Sequence, residues 1–188
     1  MRYPRPYRLA TPADVTPHSL KSSAHGPEGA STSAGMGVGC APVAVDIETH
    51  IEIARPRREV AAYASDVDHA VEWYENITAV EWQTAPPLAV GSRVAFVANF
   101  LGRRLAYTYE IREFVPGERL VMSTAQGPFP METTYGWTDA GDGATRMTLR
   151  NRGEPAGFKR IAAPMVGRAM RRANNKDLAR LKQILERH

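Results

Sequence analysis

An α+β fold is expected for this chain: a curved, seven-stranded antiparallel sheet wrapped around one long C-terminal helix. Two observations carry this. Between Val43 and Arg150 lie seven stretches of alternating apolar and polar residues bounded by Gly, Pro and Asp turns, the pattern of half-buried strands joined by hairpins. Phe158–Arg187 then places Phe158, Ile161, Ala162, Met165, Val166, Ala169, Met170, Ala173, Leu178, Leu181 and Leu185 at steps of three and four, which puts them on one helix face. Such a helix cannot bury so long a stripe against itself, so the strands must supply the surface. Function is expected in the space between sheet and helix.

Taken in order, residues 1–42 are rich in Pro, Gly, Ser, Thr and Ala without lasting periodicity, and cannot bury enough apolar surface to offset their ordering entropy. They are expected to be a disordered tail ahead of a single domain, residues 43–188. Met36 lies close to the first strand, which fits a shorter natural start. Strand one begins at Val43, with Val45, Ile47, Ile51 and Ile53 on one side and Asp46, Glu48, His50 and Glu52 on the other. Pro56 suits the first turn of a short helix reaching Ala64, and Asp66 suits the cap of a second short helix to Asn76. Six strands follow: Ile77–Thr84, Ser92–Phe100, Arg104–Phe114, Arg119–Ala125, Met131–Thr138 and Ala144–Arg150, with Leu101-Gly102-Arg103 and Pro116-Gly117 as tight turns.

Composition narrows the function classes. The formal charge is +4, but nine Lys or Arg (Lys159, Arg160, Arg168, Arg171, Arg172, Lys176, Arg180, Lys182, Arg187) stand on the terminal helix, as on a solvated helix face. Aromatic residues are not interleaved with them, so nucleic acid is not an expected partner. The lone Cys40 excludes an intramolecular disulfide and a multi-cysteine zinc site, fits a reducing cytoplasm, and leaves no metal expected. No apolar run is long enough to span a bilayer, so stable membrane insertion is not expected.

Alternation assigns the side chains facing the helix: Phe96 and Phe100 on strand three, Tyr107 and Tyr109 on strand four, Tyr135 and Trp137 on strand six, Met147 on strand seven. Glu110 and Glu132 fall on the outward parity. This interior is either a solid core or a hollow lined by aromatics, methionines and a few polar tips. Three tyrosines on one inward face favour the hollow.

The segments WQTAPPLAV (82–90), Val90-Gly91-Ser92-Arg93, Phe100-Leu101-Gly102-Arg103-Arg104, EFVPGERL (113–120), Gly127-Pro128-Phe129-Pro130 and DLARLK (177–182) resemble, in that order, the SRPBCC (START-like, helix-grip) superfamily and its polyketide cyclase/dehydrase-like group. The likeness runs from about Val43 to the C-terminus. It implies a helix-grip fold with a deep pocket for a hydrophobic small molecule. No catalytic motif of the group maps residue by residue onto this sequence.

The expected ligand-lining residues are Tyr63, Phe96, Phe100, Tyr107, Tyr109, Tyr135, Trp137, Met147, Met165 and Met170. No catalytic residue is assigned. His69 is the one histidine in an ordered, inward-capable position, and Glu72 and Glu75 would reach the pocket mouth only if their helix turned them inward. The expected function is binding of a lipid-, aromatic- or polyketide-like molecule without a cofactor, with or without a cyclase or dehydratase reaction. A carrier or sensor, or an interaction module using the basic helix face, are the alternatives. Homo-oligomerisation is left open. Pro164, after the expected helix start, is expected to kink or restart the helix.

Overall fold

Hydrogen-bonding partners along the chain follow directly from the alternation. In the computed structural model, which describes residues 45–127, 130–154 and 163–187, seven strands form one antiparallel sheet: β1 (Val45–Ile53), β2 (Ile77–Trp82), β3 (Arg93–Phe100), β4 (Arg103–Val115), β5 (Arg119–Gln126), β6 (Met131–Asp139) and β7 (Thr145–Gly153). Their order in the sheet is β1-β7-β6-β5-β4-β3-β2, so β1 and β2 are the edges. Between them the chain forms α1 (Arg57–Ser65), then a 3-10 turn (Val67–His69) running into α2 (Ala70–Trp73). The helix α3 (Ala163–Glu186) closes the fold. The expected tail 1–42, Val43, and Phe158–Ala162 of the expected terminal helix lie outside the described residues.

Local chemistry accounts for the turns. Phe100 pairs with Arg103, which leaves Leu101 and Gly102 as a two-residue hairpin loop, both at positive φ (48° and 73°). That geometry matches the twist of the flanking strands. Asp66 caps the 3-10 turn by accepting the Asp68 N–H at 3.0 Å. In β4 the register shifts between Ile111 and Glu113, a bulge that turns Phe114 back toward the core. Pro164 stands in the first turn of α3, where no N–H is needed, so it forces no kink.

Two apolar clusters form beneath α3. The larger one unites Val60, Trp73, Val94, Ile111, Leu120, Trp137, Met147, Leu149, Leu178 and Leu181, all of them less than 2% exposed. The smaller one joins Val45, Val166 and Met170. At the sheet's outer end, the Cβ of an alanine at Gly153 would lie 2.7 Å from the Pro130 carbonyl oxygen and 3.3 Å from Met131 Cα. Both are backbone, so Gly153→Ala is expected to cost about 1–3 kcal/mol, read as a lowered urea midpoint.

The basic face of α3 is largely exposed, as expected, and part of it also reaches the sheet edge. Arg171 donates to the Glu48 carbonyl at 3.2 Å and Lys182 to the Glu52 carbonyl at 2.7 Å, both on edge strand β1. Glu186 accepts the Ala54 N–H at 2.7 Å, and Arg55 Nε donates to the Leu185 carbonyl at 2.8 Å. Part of the charge therefore covers a sheet edge that would otherwise present unpaired backbone groups. Lys176 pairs with Glu75 at 3.1 Å.

Candidate functional site

Between the two apolar clusters a cavity of about 150 Å³ opens among β3, β4, β6, β7, the residues after α2, and α3. Its walls are mostly apolar: Phe96, Ala98 and Phe100 from β3, Leu105, Tyr107 and Tyr109 from β4, Met122 from β5, Met131 and Tyr135 from β6, and Val166 and Met170 from α3. Ile77 and the aromatic ring of Tyr74 complete the lining. Period-two alternation aims β3 and β4 at the same space, because their hairpin keeps register along the inner face, and the inner residues Met131, Thr133 and Tyr135 of β6 reach it as well.

The polar groups of this cavity form connected sets. Thr133 donates to Asn151 Oδ1 at 2.8 Å, and Asn151 Nδ2 donates to Asn174 Oδ1 at 3.1 Å. Thr133, which also acts on the neighbouring Tyr109 phenol of β4, thus links β6 through β7 to α3. Asn174 Nδ2 is buried and has no partner among the described residues. The hydroxyls of Tyr74 and Tyr135 share a hydrogen bond of 2.6 Å, and Asp177 Oδ1 accepts the Glu75 N–H at 2.9 Å. Asn174 and Asp177 are only 4% and 3% exposed.

Burial sets the protonation states. Desolvation raises Tyr74, Tyr107 and Tyr135 well above the ordinary phenol value and pushes Tyr109 up to about 12, so all four remain neutral hydroxyls at physiological pH. Burial also lifts the Asp177 carboxyl from 3.8 to about 6, against the lowering effect of the Glu75 N–H. The cavity thus holds one carboxyl that titrates near neutrality among hydroxyl and amide groups, with Arg152, paired to Asp46 and Glu132, also in the lining.

Of the ten residues the sequence singled out, Phe96, Phe100, Tyr107, Tyr109, Tyr135 and Met170 line the cavity. The other four stand elsewhere. Trp137 and Met147 point inward as expected, but at 1% and 0% exposure they are packed into the larger cluster farther along the strands. Met165 is 73% exposed, since Val166 is the residue of that turn facing inward. Tyr63 turns its hydroxyl to Glu72 at 2.6 Å and stacks on His69, with ring centroids 4.2 Å apart.

His69, Glu72 and Glu75 send no side chain into the cavity: His69 lies 3.6 Å from Asp66, Glu72 holds Tyr63, and Glu75 holds Lys176. Glu110 and Glu132 face outward and pair with arginines, as parity predicts. The polar lining residues sequence reasoning missed are Tyr74, Asn76, Thr133, Asn151, Arg152, Asn174 and Asp177. A signal for two of them was present: the apolar stripe of α3 is broken at Asn174 and Asp177, both on the buried face between Met170 and Leu181.

The profile of the polyketide cyclase/dehydrase and lipid transport family matches residues 44–186, nearly all of the chain beyond the N-terminal segment. The chain belongs to that family. Its members' helix-grip architecture recurs in solved structures. A protein from Thermus thermophilus aligns with TM-score 0.67 and 19% identity, over 75% of this chain and 97% of the other. A START superfamily protein from Mycobacterium smegmatis gives 0.66 and 14%, over 76% and 97%. The Zhui aromatase/cyclase from Streptomyces sp. R1128 gives 0.65 and 14%, over 77% and 95%. At these identities the likeness establishes the fold alone. A comparison with curated protein sequences finds no match. No helix among the described residues is long and apolar enough to cross a membrane.

Proposed function

We propose that this family member binds a hydrophobic small molecule, aromatic or polyketide-like, in the cavity between sheet and α3. The observation that carries the reading is the cavity's division of labour: an apolar and aromatic wall, with neutral hydroxyls, two amides and one carboxyl grouped where β6, β7 and α3 meet. The wall supplies affinity by removing apolar surface from water, and the polar group fixes orientation. A cofactor-independent cyclisation or dehydration is a second reading, favoured by Asp177, whose carboxyl titrates near neutrality in that same space. The interaction-module reading is weakened because Arg171, Lys176 and Lys182 already have partners within the chain.

The test uses 2-methoxynaphthalene, an aromatic probe with no hydrogen to donate. At a hundred times its Kd, mass action stabilises the native state by about 2.7 kcal/mol, a rise of several degrees in Tm. Ala98→Phe, which places a ring in the cavity wall, is expected to abolish that rise while the protein still melts cooperatively. An unchanged ligand-induced shift in this variant would remove the cavity as the binding site.

A further inference from the structure

Resting on the cavity reading, we propose that Asn174 and Asp177 form its recognition end and select a neutral hydrophobic ligand by one hydroxyl group, which accepts a hydrogen bond from Asn174 Nδ2 and donates one to Asp177.

The hydrogen-bond chain leading to this end has a direction. The Thr133 hydroxyl donates to Asn151 Oδ1, which turns Asn151 Nδ2 toward Asn174. That donation occupies Asn174 Oδ1 and fixes the amide's orientation, so Asn174 Nδ2 is the end left over. It is buried in a residue that lines the cavity, and it has no acceptor among the described residues. An unpaired buried donor is destabilising, and a ligand oxygen would relieve that penalty on entry.

Asp177 lies three residues further along the same helix face, also in the cavity lining and 3% exposed. Side chains three apart on a helix are neighbours, with Cβ atoms about 5–6 Å apart, so a single oxygen atom can reach both. One carboxylate oxygen holds the Glu75 N–H. The charged and titratable groups acting on this carboxyl are Glu75, Lys176 and Arg180, and the phenols of Tyr74 and Tyr135 feel it in turn. Above about pH 6 it is a carboxylate and only accepts hydrogen bonds.

The pair therefore offers one donor beside one acceptor. A hydroxyl complements both, because it accepts and donates through the same atom. A ketone or ether satisfies Asn174 and leaves Asp177 desolvated without a donor. A carboxylate satisfies Asn174 and brings its charge against that of Asp177, and the one arginine in the lining, Arg152, is already engaged by Asp46 and Glu132. An ammonium supplies Asp177 and leaves Asn174 unpaired. The selected class is thus phenols, enols and alcohols carried on an apolar body, and fatty acid carboxylates are selected against.

The experiment compares three probes on one ring system, 2-naphthol, 2-methoxynaphthalene and 2-naphthoate, binding to the full chain at pH 7.5 by isothermal titration calorimetry. The expected result is that 2-naphthol binds about tenfold or more tighter than the ether and that 2-naphthoate binds weakest. In Asp177→Asn, which removes the acceptor only naphthol can use, the naphthol-to-ether ratio is expected to fall toward about two, whereas in Asn174→Leu both ligands are expected to lose affinity alike. The wild-type series decides the matter even if a variant fails to fold. Equal binding of naphthol and ether, or preference for naphthoate, overturns the proposal while leaving the cavity reading standing. No binding of any of the three overturns both.

Discussion

Trp137→Ala is expected to lower the unfolding free energy by about 3–5 kcal/mol. Trp137 is 1% exposed on β6, pairs across the sheet with Met147, and packs edge-on to Tyr135 with ring centroids 5.9 Å apart. Removing the indole leaves a void that the surrounding strands cannot close. Its Nε1 has no partner among the described residues, so Trp137→Phe loses packing but no hydrogen bond and should cost about 1–3 kcal/mol. Because the ring lies outside the cavity wall, Trp137→Phe should leave the affinity for 2-methoxynaphthalene within about twofold. Urea unfolding and calorimetric titration of this variant check the two halves separately. A tenfold affinity loss in a variant that folds would return Trp137 to the ligand site.

Asp177→Asn is expected to stabilise the protein at neutral pH relative to wild type, by up to about 3 kcal/mol, and to lose that advantage in acid. The sign follows from the direction of the shift. The folded-state carboxyl titrates near 6, against 3.8 for the free group, so the folded state holds its proton more tightly than the unfolded one. The wild-type side chain then favours folding fully below about pH 4, and that contribution disappears as pH rises through 6. Asparagine has no such titration and keeps an oxygen to accept the Glu75 N–H. Asp46, held low by the Arg150 hydrogen bond, and Glu186, held low by the Ala54 N–H, slope the opposite way. They act equally in both proteins, so they cancel in the difference. Urea midpoints of wild type and variant from pH 4 to 7.5 read it directly, and parallel curves would show that Asp177 is not buried as described.

Six of the ten residues expected at the site line the cavity, and the reasons for the other four are specific. Parity tells which side of a sheet a residue faces, and it placed Trp137 and Met147 on the inner side. It does not tell how far along the strand the cavity extends. Those two sit beyond Tyr135 and Leu149, where Leu178 and Leu181 of α3 fill the space. For Met165 the error was rotational: a wide apolar stripe read from residue types included a neighbour of Val166 that the helix turns outward. Tyr63 belongs to α1, whose inward residues are Val60, Ala61 and Ala64.

The elements and their order are written in the residues themselves. Alternation, hairpin turns and the amphipathic terminal stripe are local properties, dictated by the two-residue and 3.6-residue periods of the backbone. They led to the helix-grip fold and to the inward faces of β3, β4 and β6. Where packing stops is settled only in three dimensions. The cavity exists because α3 meets the sheet through two separate apolar clusters, with Asn174 and Asp177 between them. Polarity at those two positions reads in sequence as a lapse in the stripe or as solvated charge. It becomes a recognition surface only when Asn151 from β7 and the Glu75 N–H from the chain after α2 are brought against it. Those partners lie 23 and 102 residues away along the chain, and no local period encodes that distance.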